Sequence, residues 1–340
     1  MNRILVIGSA HPAALEHIYV KHLQQLGNIV ELYPIQDHFL QYYSKSIFNK
    51  ILFRLGLSSI YKKLNRAVNS FVITFKPTHI VVFKGMEVRP ATLLQWKNAK
   101  IKLINYNPDN PFIFSGRGSG NTNVSEAIAL FDLYCSYDKD IILKLKQMGV
   151  NAALVPFGFE LTEQMYHDVI QEPEVNRLCF LGNPDKARAT FIRTLLLAQI
   201  PIDIYGSGWD RYLRMDNPLL TIHKAVYGID FWKVLRAYTI QLNLMRVHNL
   251  NSHNMRSFDI PGVGGIMLAP HTLDHITYFD VDKEIFVFKN IDDCIAQVKT
   301  LLNFDAKHRN EIREAARVKS LNNYTYYHQV TIFNNLLNRL

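Results

Sequence analysis

The chain has few cysteines, no long apolar run and one long segment without any acidic residue. Cys135, Cys179 and Cys294 are scattered in apolar runs without metal-ligand spacing, so we expect buried free thiols rather than a disulfide framework or a zinc site. No run approaches the roughly 18 apolar residues that a transmembrane helix requires. The sequence opens on Met1 and a strand rather than a signal peptide, so we expect a cytoplasmic protein.

The acid-free segment runs from His38 to Met86 and carries nearly all of the formal net charge of +9. Its cations are Lys45, Lys50, Arg54, Lys62, Lys63, Arg66, Lys76 and Lys84. Within residues 40–75, apolar residues recur at helical spacing with the cations on the other faces, and a glycine at position 56 divides two amphipathic helices. Such helices mostly pack on their own sheet. Their tyrosines and phenylalanines also fit peripheral contact with an anionic membrane, at the inner membrane surface, or with an acidic acceptor.

Length and composition predict two domains, because 340 residues with 48% hydrophobic content can bury two ordinary cores. Buried strand-like runs alternate with helical periods from residue 3 to residue 156, and the alternation begins again at Leu178. The predicted fold class is α/β, with two Rossmann-like domains facing across a cleft. We expect the first domain in residues 1–160, a polar linker in 161–176 and the second domain in 177–322.

The turn after the first strand contains Gly8 but lacks the G-x-G-x-x-G pattern, which argues against a nicotinamide or flavin enzyme. Two titratable groups lie at predicted strand ends of this domain. His11 is either a loop histidine without a task or a general base, since its ordinary pKa is near neutral. Asp109 lies between two prolines and serves either an Asx turn or the site. The glycine-rich stretch 115–120 predicts a mobile loop.

Residues 252–270 of the second domain carry the most specific pattern. Asn254 or Ser252 can cap a helix, Arg256 offers a forked cation to a phosphate, and Asp259 offers a carboxylate to a pair of hydroxyls. Gly262 and its neighbouring glycines leave room where the helix meets the next strand. The alternative is a helix cap with a surface ion pair. A nucleotide is the simplest ligand that needs all three polar groups.

Two further strand-to-helix turns point to the same ligand. A strand ending at Gly182 opens a helix that carries Arg188, which is either a solvated charge or a diphosphate ligand at a helix N-terminus. A second strand ends in Gly206, followed by Ser-Gly-Trp. Ligands of open α/β sheets bind at the carboxyl ends of strands, which is where these turns lie.

The pattern Asn254-x-Arg256-x-Phe-acid, followed by a glycine turn, resembles the C-terminal domain of the CgeB-like (spore-maturation type) glycosyltransferases. These have the GT-B fold and a glycosyl transferase group 1-like C-terminal domain. The turns at Gly182 and Gly206 and the aromatic-x-x-Asp segment ending at Asp109 resemble further elements of that family. The resemblance covers the second domain well and the first loosely.

The resemblance implies a nucleotide-sugar-dependent glycosyltransferase. It places the diphosphate against Arg188, Arg256 and helix N–H groups, and the ribose against Asp259. The remaining donor-binding residues that it implies are Gly8, Gly182, Gly206, His223, Tyr227, Asn254 and Gly262. Residues 323–340 are expected to form a helix that packs back on the first domain. His11 or Asp109 would take the proton of the acceptor if transfer inverts the anomeric centre.

No Asp-x-Asp pair lies where a donor-bound metal would be needed, so we expect neither a metal nor a further cofactor. The expected partners are a nucleotide sugar and an unidentified acceptor (a cell-surface glycan, lipid-linked or protein), with no nucleic acid. Two alternatives share the bilobed outline. A nucleotide-sugar epimerase would need acid and base carboxylates around the sugar, and a solute-binding protein would normally carry an export signal.

Overall fold

The structure is a computed structural model that describes residues 1–114, 119–213, 217–246 and 251–340. The predicted loop 115–120 therefore lies largely outside the described residues. The chain divides into two compact units, Met1–Pro156 together with Tyr326–Leu340, and Phe157–Thr325. Each unit has a six-stranded parallel sheet with flanking helices, which confirms the predicted α/β class with two Rossmann-like units.

The sheet of the first unit has the order β2-β1-β3-β4-β5-β6, and all its strand pairs are parallel. Apolar runs form these strands because parallel strands are covered on both faces. The four residues Ile4–Ile7 of the first strand, for example, are fully buried. The strands are β1 Arg3–Ile7, β2 Ile29–Tyr33, β3 His79–Phe83, β4 Lys102–Asn107, β5 Leu133–Ser136 and β6 Ala152–Leu154.

Helices connect these strands and cover the sheet of the first unit. They are α1 Leu15–Gln25, α2 Ile35–Lys45, α3 Ile47–Arg54, α4 Ile60–Phe75, α5 Pro90–Asn98, α6 Thr122–Ala127 and α7 Lys139–Gln147, with a 3-10 turn at Ile128–Leu130. The basic segment forms three helices where two were predicted. Ser46 is the reason, because its backbone is extended and its hydroxyl accepts a hydrogen bond from Asn49 N, which starts a new helix.

The second unit repeats the architecture with the strand order β12-β11-β10-β7-β8-β9. Its strands are β7 Val175–Leu181, β8 Ile202–Tyr205, β9 Leu220–His223, β10 Tyr238–Leu242, β11 Met267–Pro270 and β12 Phe286–Phe288. Its helices are α8 Glu163–Val169, α9 Lys186–Leu197, α10 Gly228–Ala237, α11 Arg256–Gly262, α12 Leu273–Tyr278, α13 Ile291–Leu302 and α14 Ala306–Asn323, with a 3-10 turn at Trp209–Arg211. Residues 161–176, predicted as a linker, thus contain α8 and belong to this unit.

The last helix, α15 Tyr326–Leu337, belongs to the first unit, where it packs on α1. The ring of Phe333 meets the ring of Tyr19 edge-to-face at a centroid distance of 5.3 Å. Asn334 Oδ1 accepts a hydrogen bond from Asn28 Nδ2 at 2.9 Å, which ties the helix to the start of β2. None of the helices in the described residues is both long enough and apolar enough to cross a lipid bilayer.

Candidate functional site

A cavity of about 310 Å³ lies in the second unit, where β7 and β8 end. Three arginines line it, together with two glycines, aromatic rings and short apolar side chains. The described lining residues, which include no Asp or Glu, are Leu181, Gly182, Asn183, Arg188, Tyr205, Gly206, Ala225, Val226, Tyr227, Phe231, Arg246 and Arg256. A cavity with this lining favours an anion, because the positive charges converge on a partly desolvated space.

Gly206 lets the loops after β7 and β8 approach closely. A Cβ atom on Gly206 would collide with the carbonyl oxygen of Gly182. The indole of Trp209 donates a hydrogen bond from Nε1 to that same oxygen at 2.8 Å. Both glycines were predicted from the sequence, and the structure places both in the wall of the cavity.

Arg188 is a buried brace of this wall, with only 9% of its surface exposed. Its guanidinium donates to the backbone oxygen of Asn183 at 3.0 Å and to that of Leu244 at 2.7 Å, which joins the loops after β7 and β10. Asp185 caps α9 by accepting from Arg188 N at 2.9 Å. Burial lowers the pKa of Arg188 to about 10, so the side chain keeps its charge at neutral pH.

Arg256 is the more accessible cation, with 32% of its side chain exposed. Its Nη1 lies 2.8 Å from Asp259 Oδ2, one helical turn further along α11. Its guanidinium also stacks over the ring of Phe231 at 4.2 Å from the ring centre. Burial raises the pKa of Asp259 to about 6, even though the neighbouring arginine lowers it. The carboxylate and the ring therefore hold Arg256 in one orientation at the cavity.

Arg246 follows β10 and is the third cation of the cavity. It is exposed, and the sequence patterns did not single it out. Phe231, on α10, and Tyr205, at the end of β8, were also missed. One signal was present in the sequence for Arg246 and Tyr205, because each stands close to the carboxyl end of a strand, where ligands of parallel sheets bind.

A buried polar network supports the start of α11. Asn254 Oδ1 accepts from Ser257 N at 3.1 Å, and Asn254 Nδ2 donates to Asn243 Oδ1 at 2.8 Å. The Ser257 hydroxyl lies 2.9 Å from His275 Nε2, and the other ring nitrogen of His275 lies 2.9 Å from the oxygen of Pro270. Burial lowers the pKa of His275 to about 4, so this imidazole is neutral.

Five of the ten predicted donor-binding residues do not line the cavity. Asn254 and Asp259 stand behind it, as described. His223 stacks on Tyr205, with ring centres 4.3 Å apart, and so supports the wall from outside. Gly262 is required by packing, because a Cβ atom there would lie 2.5 Å from the ring of Phe159. Gly8 lies in the first unit, where its missing side chain makes room for the carboxylate of Glu16.

The two predicted acid–base residues both lie in the first unit. His11 is exposed, and its Nδ1 accepts a hydrogen bond from Ala13 N at 3.2 Å. Asp109 forms an ion pair with Lys84, with Oδ2 and Nζ 2.5 Å apart. Asp109 N also donates to Asn107 Oδ1 at 3.0 Å, so the segment after β4 does contain an Asx turn, which Asn107 makes.

No three His, Cys, Asp or Glu side chains within the described ranges converge in an arrangement that could hold a metal ion. All three cysteines are buried and free, as predicted. Burial raises the pKa of the Cys135, Cys179 and Cys294 thiols above the ordinary value, so these groups are unreactive packing residues.

Residues 188–335 match the sequence profile of a family described as glycosyl transferase-like. No sequence relative was found among curated proteins. Sucrose-phosphate synthase from Thermosynechococcus elongatus is similar in structure, with a TM-score of 0.69 at 12% identity over 99% of this chain and 98% of that chain. Anabaena HepE in complex with UDP-glucose is also similar, with a TM-score of 0.66 at 13% identity over 100% of both chains.

A third similar structure is a putative UDP-N-acetylglucosamine 2-epimerase from Listeria monocytogenes, with a TM-score of 0.56 at 11% identity over 97% of this chain and 94% of that chain. At such identities the likeness establishes the fold alone. The chain therefore has the GT-B fold of two Rossmann-like domains. Residues 188–335 match the glycosyl transferase-like profile, and the arginine-lined cavity lies in the unit that contains most of the matched region.

Proposed function

We propose that this protein is a glycosyltransferase that binds the diphosphate of a nucleotide sugar in the cavity of the second unit. The observation that carries the proposal is the convergence of Arg188, Arg246 and Arg256 on a cavity whose described lining contains no carboxylate. Two supporting observations are the glycosyl transferase-like sequence profile and the GT-B fold shared with HepE, which was crystallised with UDP-glucose. We further propose the CgeB-like subtype, from the pattern around Arg256.

In this proposal Arg246 and Arg256 bind the phosphates, and Arg188 holds the loops that surround them. The arginines neutralise the charge that develops on the nucleoside diphosphate as it leaves, which supplies the stabilisation without a metal or another cofactor. The exposed ring of Tyr227 and the ring of Tyr205 offer flat surfaces to a nucleobase. His223 supports the second ring from behind.

The residue that removes the proton of the acceptor is proposed to lie in the first unit. We propose His11 as the general base of an inverting transfer, since its exposed imidazole is open to an acceptor. Asp109 is held by Lys84 and serves to orient an acceptor hydroxyl or that lysine. A retaining enzyme would need neither residue. The acceptor that we propose is a cell-surface glycan precursor, and the protein acts in the cytoplasm at the inner face of the membrane.

A surface of the first unit supports that location. Leu40, Ile47, Phe48, Ile51, Leu55 and Leu57 expose their side chains together along α2, α3 and the turn that follows. Exposed Lys45 and Arg54 lie in α2 and α3, and exposed Lys62, Lys63 and Arg66 lie in α4, all within the acid-free segment. We name this set of residues, from Leu40 to Arg66, the basic apolar surface. An apolar helix face among cations fits the interface of an anionic bilayer.

Flotation with vesicles tests this surface. The parent protein should float with vesicles that contain phosphatidylglycerol, and salt should weaken the association. Replacing Lys45, Arg54, Lys62 and Lys63 by glutamine should abolish flotation while UDP binding is retained. A parent protein that ignores such vesicles at low salt would refute the membrane contact and leave the transferase proposal standing.

The activity is tested by following nucleotide release from a panel of nucleotide sugars with and without acceptor extracts. A transferase releases nucleoside diphosphate only when an acceptor is present. An epimerase, which shares the fold, would instead convert the sugar of the donor without any acceptor, and NMR of the recovered nucleotide sugar would show it. If no donor binds or turns over under either condition, the protein is not a nucleotide-sugar enzyme.

A further inference from the structure

The first unit contains a cavity of its own, of about 580 Å³, at the carboxyl end of β3. One stripe of α2 faces it, because Gln36, Phe39, Leu40 and Tyr43 recur at helical spacing among its lining residues. Phe53 of α3 and Tyr61 of α4 add two further rings. Helices α2, α3 and α4 thus turn aromatic side chains onto one space.

The rings of this cavity hold one another in place. The ring of Phe53 meets that of Phe39 at a centroid distance of 4.9 Å and that of Tyr61 at 5.5 Å, both edge-to-face. Tyr43 stacks on Phe39 at 5.7 Å. The hydroxyl of Tyr61 accepts a hydrogen bond from Asn121 Nδ2 at 3.3 Å. The wall is therefore preformed, and an apolar ligand would lose little free energy in ordering it.

One end of the cavity is polar. Lys84 and Gly85 both have left-handed backbone conformations, with φ values of 60° and 99°, and this sharp turn after β3 brings Lys84, Met86 and Glu87 to the cavity. Asn65 of α4 fixes the turn, because its Nδ2 donates to Glu87 O at 2.7 Å and its Oδ1 accepts from Arg89 N at 2.9 Å.

Glu87 is a carboxylate enclosed at this end, with 6% of its surface exposed. A buried carboxylate is costly unless it binds donors. Glu87 accepts a hydrogen bond from its own backbone N–H, and the cavity that it lines leaves room for further donors from a ligand. Lys84, the nearby cation, is shared with Asp109. Hydroxyl groups are the donors that suit such a site, since a carboxylate accepts several hydrogen bonds at once.

We propose that this cavity is a binding site for an amphipathic acceptor, whose apolar chain lies among Phe39, Tyr43, Phe53 and Tyr61 and whose hydroxylated head binds Glu87 and Lys84. The term acceptor rests on the proposed transferase function, whereas the binding of such a molecule does not. The structure assigns a lipid chain rather than a free sugar, because the four aromatic rings would bury the apolar surface of such a chain.

Continuity with the basic apolar surface supports a lipid as the occupant. Helix α3 contributes to both, since Phe53 and Arg54 line the cavity while Ile47, Phe48 and Ile51 are exposed. A lipid chain leaving an anionic bilayer beneath these exposed residues would reach the rings across the width of one helix. In this eight-residue helix Phe53 turns to the cavity, Ile47, Phe48 and Ile51 are exposed, and Arg54 belongs to both the cavity lining and the basic apolar surface.

Titration with alkyl glucosides below their micelle concentration tests the site. Octyl β-D-glucoside should bind the full chain saturably, with one molecule per chain, and hexyl β-D-glucoside should bind about tenfold or more weakly, since each buried methylene contributes about fourfold in affinity. Free glucose should not compete measurably. Equal affinities of the hexyl and octyl compounds, or no saturable binding, would overturn the proposal.

Two phenylalanines of α3 provide a matched pair of variants. Phe53→Ala should weaken octyl glucoside binding at least fivefold, whereas Phe48→Ala should leave it unchanged and reduce vesicle flotation instead. Leu40→Trp, which fills the cavity from a partly exposed position, covers the case in which Phe53→Ala fails to fold. Glu87→Gln should weaken binding of the glucoside and not that of octanol. An equal loss in the Phe48 and Phe53 variants would refute the site.

UDP binding measured on the same variants keeps the two proposals apart. The alkyl glucoside variants all lie in the first unit and should bind UDP like the parent. If UDP does not bind the parent but octyl glucoside does, the transferase proposal fails and the lipid site remains. The opposite result leaves the donor site and removes the lipid site.

Discussion

The cavity of the second unit is lined by three arginines and, among the described residues, by no carboxylate, whereas that of the first unit is lined by four aromatic rings and the buried carboxylate of Glu87. Both cavities lie at carboxyl ends of parallel strands in sheets of six strands. The fold therefore sets the place of a site, and the segments after the strands set its chemistry.

Those segments differ in a way that explains the contrast. In the second unit, Gly206 allows two strand ends to meet closely, and three arginines line the space together with Tyr205, Tyr227, Phe231 and apolar side chains. In the first unit, the connection between β2 and β3 consists of the three amphipathic helices α2, α3 and α4, which supply the rings. A donor with two phosphates fits the former surroundings, and an amphipathic molecule fits the latter.

The largest expected effect concerns Arg188, the buried arginine of the second-unit cavity. Arg188→Ala leaves the carbonyl groups of Asn183 and Leu244 without their charged donor, so we expect a loss of about 2 to 4 kcal/mol in the free energy of unfolding. Arg246→Ala is the matched control, because Arg246 is exposed and should cost less than about 0.5 kcal/mol. Denaturant titration gives both values. Equal stabilities would show that Arg188 does not stabilise the fold.

The second expected effect is a pH dependence centred on the first-unit cavity. Burial raises the pKa of Glu87 to about 7, although Lys84 acts to lower this pKa; Glu16 acts to raise it. Tyr61 and Arg54 line the same space. The folded state thus holds the proton more tightly than the unfolded chain, so this stabilisation is complete below the ordinary carboxyl pKa and is lost as pH rises through 7.

Glu87→Gln removes that loss, because the amide stays neutral. The unfolding free energy of the variant minus that of the parent should therefore increase by about 2 to 3 kcal/mol from pH 5 to pH 8.5. Unfolding curves of the two proteins at both pH values measure the difference. A gain that does not change with pH would mean that Glu87 is ionised throughout.

The third prediction compares one arginine from each cavity. Arg246→Ala should weaken UDP binding about tenfold, since it removes one charge-assisted hydrogen bond to a phosphate, and should leave octyl glucoside binding unchanged. Arg54→Ala, at the first-unit cavity, should leave UDP binding unchanged. Calorimetric titration of both variants with UDP and with octyl glucoside gives the four affinities to compare. If each variant affects both ligands, the two cavities are not independent sites.

The smallest effect is expected at Asp259, which the sequence pattern assigned to the ribose and the structure pairs with Arg256. Asp259→Asn should change UDP affinity less than about threefold, because the side chain does not line the cavity and Phe231 still holds the arginine. Inorganic pyrophosphate, which lacks a ribose, distinguishes the roles. A loss for UDP without a loss for pyrophosphate would establish the ribose contact.

The sheets of both units could be predicted from the sequence, because fully buried parallel strands are continuous apolar runs such as Ile4–Ile7. The glycines 182 and 206 and the arginines 188 and 256 were also predicted as site residues, and the structure places all four at one cavity. Each stands directly at a strand end or at a helix start, where local sequence decides the geometry.

Whether the other residues belong to a site depends on tertiary contacts, which the local sequence does not reveal. Gly262 makes room for Phe159, more than a hundred residues earlier in the chain, and Gly8 makes room for Glu16. The sequence around each of these glycines does not distinguish it from a glycine that binds a ligand. Glu87 was missed for the same reason, because its burial depends on helices contributed by a separate stretch of the first unit.

The central claim, that the second-unit cavity binds a nucleoside diphosphate, is tested most directly by titrating the full chain with UDP, GDP, ADP and dTDP. We compare Asp259→Asn with Arg256→Ala in the same Asp259→Asn background, so that no buried carboxylate is left unpaired. The account predicts that at least one nucleotide binds with one molecule per chain and that removing Arg256 weakens this binding tenfold or more. Equal binding by the two variants, or no binding by the parent, would contradict it.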